Sequence, residues 1–259
     1  MNLFDSHSHY NDEKFDIDRE RIIKETLSNG VSNFIVAGYN IQSSKKAIEI
    51  AKEYEEIYAI VGISPNDLED LNTEDIDIYV SEIEELAKDK EVVAIGEIGL
   101  DYYWNKENKE LQKKVFIKQI ELANKLNLPI VIHTRDATID TINILKENNV
   151  IKKGIFHCCP LNMELIKEAV KLEFYISLSG VITFKNVKNA EEIINMIPED
   201  KLLIETDSPY LSPEPMRGKR NNSMNVKYVA EKIANVKNKT LEEIAELTSK
   251  NTEIIFNIK

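Results

Sequence analysis

Eight short runs of branched and aromatic residues recur along the chain, separated by amphipathic stretches, and this beat restricts the fold more than any other feature. NLFDSH opens the chain. SNFIVAG follows at 32–38, IYAIVGI at 57–63, EVVAIGEIG at 91–99 and LPIVIHT at 128–134. GIFHC at 154–158, EFYISLSG at 173–180 and KLLIETD at 201–207 complete the series. Each is too short for a helix, and its near-continuous apolar character suits a strand buried on both faces. The intervening stretches, such as DIDRERIIKETLSNG and ELQKKVFIKQIELANKLN, have helical spacing. Gly30 is positioned to stop the first helix, and Thr240 with Glu243 forms a T-x-x-E capping box that opens the last. Eight strand–helix alternations in 259 residues predict a closed (β/α)8 barrel of the TIM type rather than an open doubly wound sheet. With no Gly-, Pro- or Ser-rich linker, residues 1–259 read as a single domain.

The bounds on location and partners follow from little else. No apolar run approaches the ~20 residues needed to cross a bilayer. An acidic residue, Asp5, stands where a secretory leader would be basic and then apolar. Cys158 and Cys159 are the only cysteines, and adjacent cysteines make poor disulfide partners. A cytoplasmic location is expected, with no membrane contact and no obligate protein partner. Lys and Arg number 33 against 45 Asp and Glu, a net charge of −12, which disfavours broad electrostatic affinity for nucleic acid. Phosphate would have to be met by a local basic cluster or a bound metal.

The chain has four histidines. His7 and His9 follow the first apolar run, His133 ends the fifth and His157 the sixth. In a parallel barrel all C-terminal strand ends share one rim, so all four imidazoles would converge on one mouth. Glu97 ends the fourth run, and Glu205 and Asp207 the eighth. Carboxylates in such apolar company are costly unless a cation partners them. His7 and His9, two residues apart on a strand, would face the same way and bind one ion. The mixed imidazole and carboxylate set would accept one or two divalent ions, with Zn, Mn, Mg, Ni and Fe all eligible. Blander roles are open to individual residues. Any one histidine could be a hydrogen-bonded core residue, and the two cysteines read better as packed thiols than as ligands. Asp101, Tyr102 and Tyr103 suit either loop chemistry or rim packing, and Glu205 suits either an orienting role or a bond inside the barrel.

In these blocks the chain resembles the TatD family of metal-dependent deoxyribonucleases, within the amidohydrolase-like barrels. FDSHSH is similar to the family's D-x-H-x-H, and AIGEIGLDYY to its G-E-x-G-L-D; PIVIHTRDA, GIFHC, LLIETDSPYL and PMRGKRN match four further blocks in order. The resemblance implies metal ligation by His7, His9, Glu97, His133, His157 and Asp207. His7, His9 and Asp207 would hold one ion, His133 and His157 the other, and Glu97 would bridge them, where many barrel relatives use a modified lysine. It departs from the family at GISPND, where G-x-H-P-H is usual: Ser64 and Asn66 replace histidines thought to meet substrate phosphate. KRNNSMNV also lacks the acidic residue and proline that tend to follow the asparagine.

The expected activity is hydrolysis of phosphodiester bonds in DNA, trimming single-stranded or frayed ends through a metal-activated water. Asp207 would accept the water proton, with Glu97 as the other catalytic carboxylate. Arg135, two residues past His133, would grip a phosphate oxygen, and Arg217, Lys219 and Arg220 would offset the negative charge locally. The alternatives are another metal-dependent ester or amide hydrolase, such as one acting on a D-aminoacyl ester of transfer RNA, and a non-catalytic metal-stabilised scaffold.

Overall fold

Runs such as Phe34–Ala37 and Ile130–Ile132 can be apolar throughout only where one face of a strand meets helices and the other meets its opposite strands. That is the arrangement found. The computed structural model describes residues 2–68, 71 and 73–258. Eight strands, β1 (Leu3–Ser8), β2 (Val31–Ala37), β3 (Ile57–Val61), β4 (Val92–Asp101), β5 (Ile130–Arg135), β6 (Gly154–Phe156), β7 (Tyr175–Leu178) and β8 (Leu202–Ile204), form one sheet in sequence order. Every consecutive pair is parallel. Helices α1 (Arg19–Ser28), α2 (Ile41–Glu53), α3 (Ile76–Leu86), α4 (Lys109–Leu126), α5 (Thr138–Glu147), α6 (Met163–Lys171), α7 (Ala190–Met196) and α8 (Val226–Lys237) follow the strands in turn, and α9 (Leu241–Phe256) is added after the eighth unit. Among the described residues no helix is long and apolar enough to cross a membrane.

The two faces of the sheet separate cleanly. Phe4, Ile35, Ile60, Ala94, Val131, Ile155, Tyr175 and Leu203, one from each strand, pack together inside the barrel, joined by Phe256 from the end of α9. Their neighbours in sequence, such as Phe34, Val36, Ile130, Ile132, Leu202 and Ile204, belong to the larger core shared with the helices. α9 takes its start from the capping box read in the sequence: the Thr240 hydroxyl accepts from the Glu243 N–H and the Glu243 carboxylate from the Thr240 N–H. Likewise α1 stops at Ser28, and Gly30 adopts a left-handed φ of 92°.

Closure between the first and last strands is made mostly above them. The Ser6 hydroxyl donates to the Ile204 carbonyl at 3.0 Å. Beyond β8, the Asp207 N–H donates to the His7 carbonyl at 3.0 Å and the His9 N–H to the Ser208 carbonyl at 2.7 Å. The seam of the barrel therefore runs through the loop that carries Asp207.

Among the strand limits that differ from those read in the sequence, three bear on the site. β6 ends at Phe156 and β8 at Ile204, so His157, Glu205 and Asp207 lie past the ladder. The chain turns at these points: Cys158 has φ 37° and Asp207 φ 55°. β4 instead continues to Asp101, which puts Glu97 inside the strand.

Candidate metal centre

Strand alternation explains most of the site. The inward row of β5 runs from Val131 to His133, that of β6 from Ile155 to His157 just past its end, and that of β8 from Leu203 to Glu205. β1 is different. His7 lies within the strand and His9 one residue beyond it, and a shift of register between Asp5 and Ser8 in the β1–β2 pairing turns both imidazoles onto the cluster. Glu97 sits at a second such shift, between Ile95 and Ile98 in the β4–β5 pairing. Gly99 makes that approach possible. Its φ is 138°, and a Cβ there would stand 2.0 Å from the His133 carbonyl oxygen.

The carboxylate of Glu97 divides the cluster in two. Oε2 lies 3.6 Å from His7 Nε2 and 3.9 Å from His9 Nε2. Oε1 lies 3.0 Å from His133 Nδ1 and 3.3 Å from His157 Nε2. Asp207 Oδ1 joins the first group, 3.2 Å from His9 Nε2 and 3.8 Å from His7 Nε2. Behind the imidazoles stand outer partners of the kind that fix ring orientation at metal sites. His133 Nε2 is 2.9 Å from Asp101 Oδ2, His9 Nδ1 is 3.2 Å from the Ala37 carbonyl, and His157 Nδ1 is 3.5 Å from Glu205 Oε1. His7 Nδ1 and His157 Nδ1 are both buried without a hydrogen-bond partner, Glu205 Oε1 accepting instead from the Cys158 N–H at 2.6 Å.

This donor set fits a divalent cation. His7 Nε2 faces His9 Nε2 at 3.2 Å, and His133 Nδ1 faces His157 Nε2 at 3.2 Å. Tetrahedral bonds of about 2.0–2.2 Å would set neighbouring ligand atoms roughly 3.3 Å apart. Two groups of donors lie close enough to share an ion: His7, His9 and Asp207, and His7, Glu97 and His157. His7 thus stands in both groups, whereas the sequence reading gave it to one. The protonation balance also calls for positive charge. Burial opposes ionisation of Glu97, yet His157, His133 and His7 hold it well below the usual carboxylate range. Asp207 is likewise buried but held low, chiefly by His9. His157 is pushed well up by Glu97 and Glu205 despite its burial, while burial and the neighbouring His157 pull His7 down.

One acid escaped the sequence reading of the site, and a second was left undecided by it. Asp5 is fully buried, and its carboxylate accepts from the Thr206 N–H at 2.9 Å and from the Thr206 hydroxyl, tying β1 to the loop after β8. Burial pushes its carboxyl up to about 7. Its place two residues before His7 was the available signal. Asp101, which the sequence left between loop chemistry and packing, orients His133. Asn66 reaches the same carboxylate, with its Nδ2 donating to Asp101 Oδ2 at 3.3 Å, and Ser64 is buried beside it in sequence.

The cationic residues are less concentrated. Arg135 is exposed on the rim, its guanidinium 3.9 Å from the centre of the Tyr103 ring. Arg217, Lys219 and Arg220 lie in the loop between β8 and α8 and are exposed. Arg217 donates to the Ser212 carbonyl at 3.0 Å and covers Phe184. Arg220 is committed to an ion pair with Asp18 at 2.7 Å. Cys158 and Cys159 are free thiols, both pushed up by burial, with Cys158 Sγ 3.2 Å from the Ser179 hydroxyl.

Comparison with known proteins gives a consistent account. The family model described as TatD related DNase matches residues 4–257. The uncharacterized metal-dependent hydrolase YabD of Bacillus subtilis is 46% identical over 257 residues, covering 99% of each chain. YcfH of Escherichia coli K12, another uncharacterized metal-dependent hydrolase, is 35% identical over 262 residues, covering 100% of this chain and 97% of the relative. Among solved structures, the TatD homologue YjjV of Escherichia coli superposes with a TM-score of 0.92 at 25% identity, over 99% of this chain and 98% of its own. A hydrolase of the TatD family from Entamoeba histolytica shares the fold at TM-score 0.88 and 22% identity, over 100% and 99% of the two chains.

Proposed function

This chain belongs to the TatD-related DNase family and is a metal-dependent hydrolase; from that premise we propose that it cleaves phosphodiester bonds in DNA, working from single-stranded or frayed ends. The observation that carries the reading is the division of Glu97, with one carboxylate oxygen toward His7 and His9 and the other toward His133 and His157. One bridging carboxylate between two imidazole pairs suits a pair of ions, an arrangement used for displacement at phosphorus. His7, His9 and Asp207 would hold one ion and His133 and His157 the other. A divalent ion held by these residues would supply a lowered pKa for water and a Lewis acid for a phosphoryl oxygen.

The chain's own groups do the rest. Asp207 stays ionised beside His9 and can take a proton from the attacking water at Oδ1 or Oδ2. Asp101 holds His133 in orientation from behind, and Glu205 places a buried negative charge beside His157. Arg135, exposed two residues past His133, is placed to pair with a non-bridging phosphate oxygen. Arg217 and Lys219 add local positive charge on the other side of the mouth. Arg220 contributes less, because Asp18 already neutralises it.

The test is direct. Purified protein supplied with Mn²⁺ or Mg²⁺ should shorten single-stranded DNA, and EDTA should stop it. Asp207→Asn should reduce turnover by several orders of magnitude while the circular dichroism spectrum is retained. Undiminished cleavage by that variant would remove Asp207 from its role. A second reading, hydrolysis of a carboxylic ester such as an aminoacyl ester on transfer RNA, is favoured by one observation. Ser64 and Asn66 replace the family's phosphate-facing histidines, and Asn66 is turned to Asp101. Release of the amino acid from charged transfer RNA, with DNA left intact, would favour it.

A further inference from the structure

Large apolar side chains exposed to water are scattered over this molecule, but the exposed aromatic rings are not. Among the described residues they are Tyr103, Trp104 and Tyr210, exposed by 48%, 69% and 43%. All three lie in loops that follow strands, on the rim where the metal centre opens. Tyr210 is beside His9, with ring centres 6.4 Å apart. Tyr103 and Trp104 stand on the His133 side, in the loop between β4 and α4. Tyr210 is already covered by Lys14, 4.0 Å from its ring centre, whereas the adjacent exposed rings of Tyr103 and Trp104 form the kind of apolar surface that marks a binding site.

The His133 side is the more fully built. The Asp101 carboxylate accepts from the Tyr103 N–H at 2.9 Å and the Trp104 N–H at 3.0 Å through Oδ1, while Oδ2 faces His133. One buried acid therefore fixes both the loop that carries the rings and a ring of the metal centre. Tyr103 and Trp104 meet edge to face, with centres 4.9 Å apart at 89°. The guanidinium of Arg135 lies 3.9 Å from the Tyr103 ring centre and 5.5 Å from that of Trp104. Asp101 and Arg135 are register partners in the β4–β5 pair, so the cation is held over the rings by the sheet itself. Arg135 takes up a face of Tyr103, and the more exposed indole of Trp104 offers the free surface.

We propose that Trp104, with Tyr103 and Arg135, forms a stacking platform for an unpaired base of single-stranded DNA beside the phosphate to be cleaved. The platform rests on the reading of this protein as a DNA-cleaving enzyme and names the feature of the substrate it selects. Stacking suits an enzyme of net charge −12, because a base face is recognised without long-range electrostatic attraction. It also requires a strand whose bases are already unpaired, since a ring cannot reach the face of a base within a duplex.

Trp104 is the sole tryptophan, so fluorescence excited at the red edge of the absorption band, where the ten tyrosines scarcely absorb, reports on this position alone. Wild-type protein with Mn²⁺ is titrated with a short phosphorothioate oligothymidylate, which resists cleavage, and with an abasic phosphorothioate strand of equal length. The expected result is saturable quenching by the first and roughly 5- to 150-fold weaker binding of the second, read by anisotropy of labelled strands. Trp104→Ala should bind oligothymidylate about as weakly as wild type binds the abasic strand, and Trp104→Phe should recover most of the loss. Absence of quenching, or equal affinity for the two strands, overturns the platform. DNA cleavage with an unchanged KM in Trp104→Ala would overturn it while leaving the nuclease reading intact. Base-dependent binding without any cleavage of ordinary DNA would support the platform and defeat the nuclease reading.

Discussion

Asp101 has three tasks at once: it faces His133, caps the turn that carries Tyr103 and Trp104, and accepts from Asn66. Replacing it by Asn keeps the shape but removes the charge that fixes the His133 tautomer. Outer partners of this kind are worth about 10–100-fold in metal affinity. Asp101→Asn should weaken Mn²⁺ or Zn²⁺ binding by that factor in a calorimetric titration, with little change in the far-ultraviolet spectrum. Equal affinity in the two proteins would mean that the contact is incidental. The site's imidazoles and carboxylates were legible in the sequence because each stands at the end of an apolar run. Asp101 was not, because its role depends on His133 thirty-odd residues away and on the register of β4 against β5. Tyr103 was legible only as a residue of the loop or rim, and Trp104 not at all, because the exposure of an aromatic ring is not written in its sequence position.

At the scale of the element, the eight strands and their helices were readable because burial on both faces leaves short, unbroken apolar runs. The limits of β6 and β8 were not, because the polar residues beyond Phe156 and Ile204 look like a strand's last inward row when they are in fact a turn. The pairing of His7 with His9 was read from ideal alternation, whereas a register shift in β1 and the strand's end both contribute. The capping box at Thr240 was legible as a local motif and starts the helix whose far end, Phe256, seals the barrel interior. Thr240→Ala should therefore cost about 1 kcal/mol, near the middle of the range for lost N-caps. In a chain of this size that corresponds to a fall of roughly 2–4 °C in Tm, measured calorimetrically. An unchanged Tm would show that water replaces the cap without loss.

For the molecule as a whole, the centre lies on the seam of the barrel, where β1 and the loop after β8 meet through Asp207 and Ser208. An ion bound by His7, His9 and Asp207 would join the two ends of the sheet, so its removal should be felt as lost stability throughout the fold. At a free-ion concentration a hundredfold above Kd, binding to the native state alone contributes about 2.7 kcal/mol. Stripping with EDTA should lower Tm by on the order of 5–10 °C, and returning Mn²⁺ or Zn²⁺ should restore it. A melting curve indifferent to both treatments would argue that these side chains hold no ion. The seam also sets a schedule for synthesis. His7 and His9 are synthesised well ahead of their acidic counterpart at 207, and nearly the whole barrel lies between them. A product terminated before residue 207 lacks that ligand and cannot complete the ion site that closes the seam.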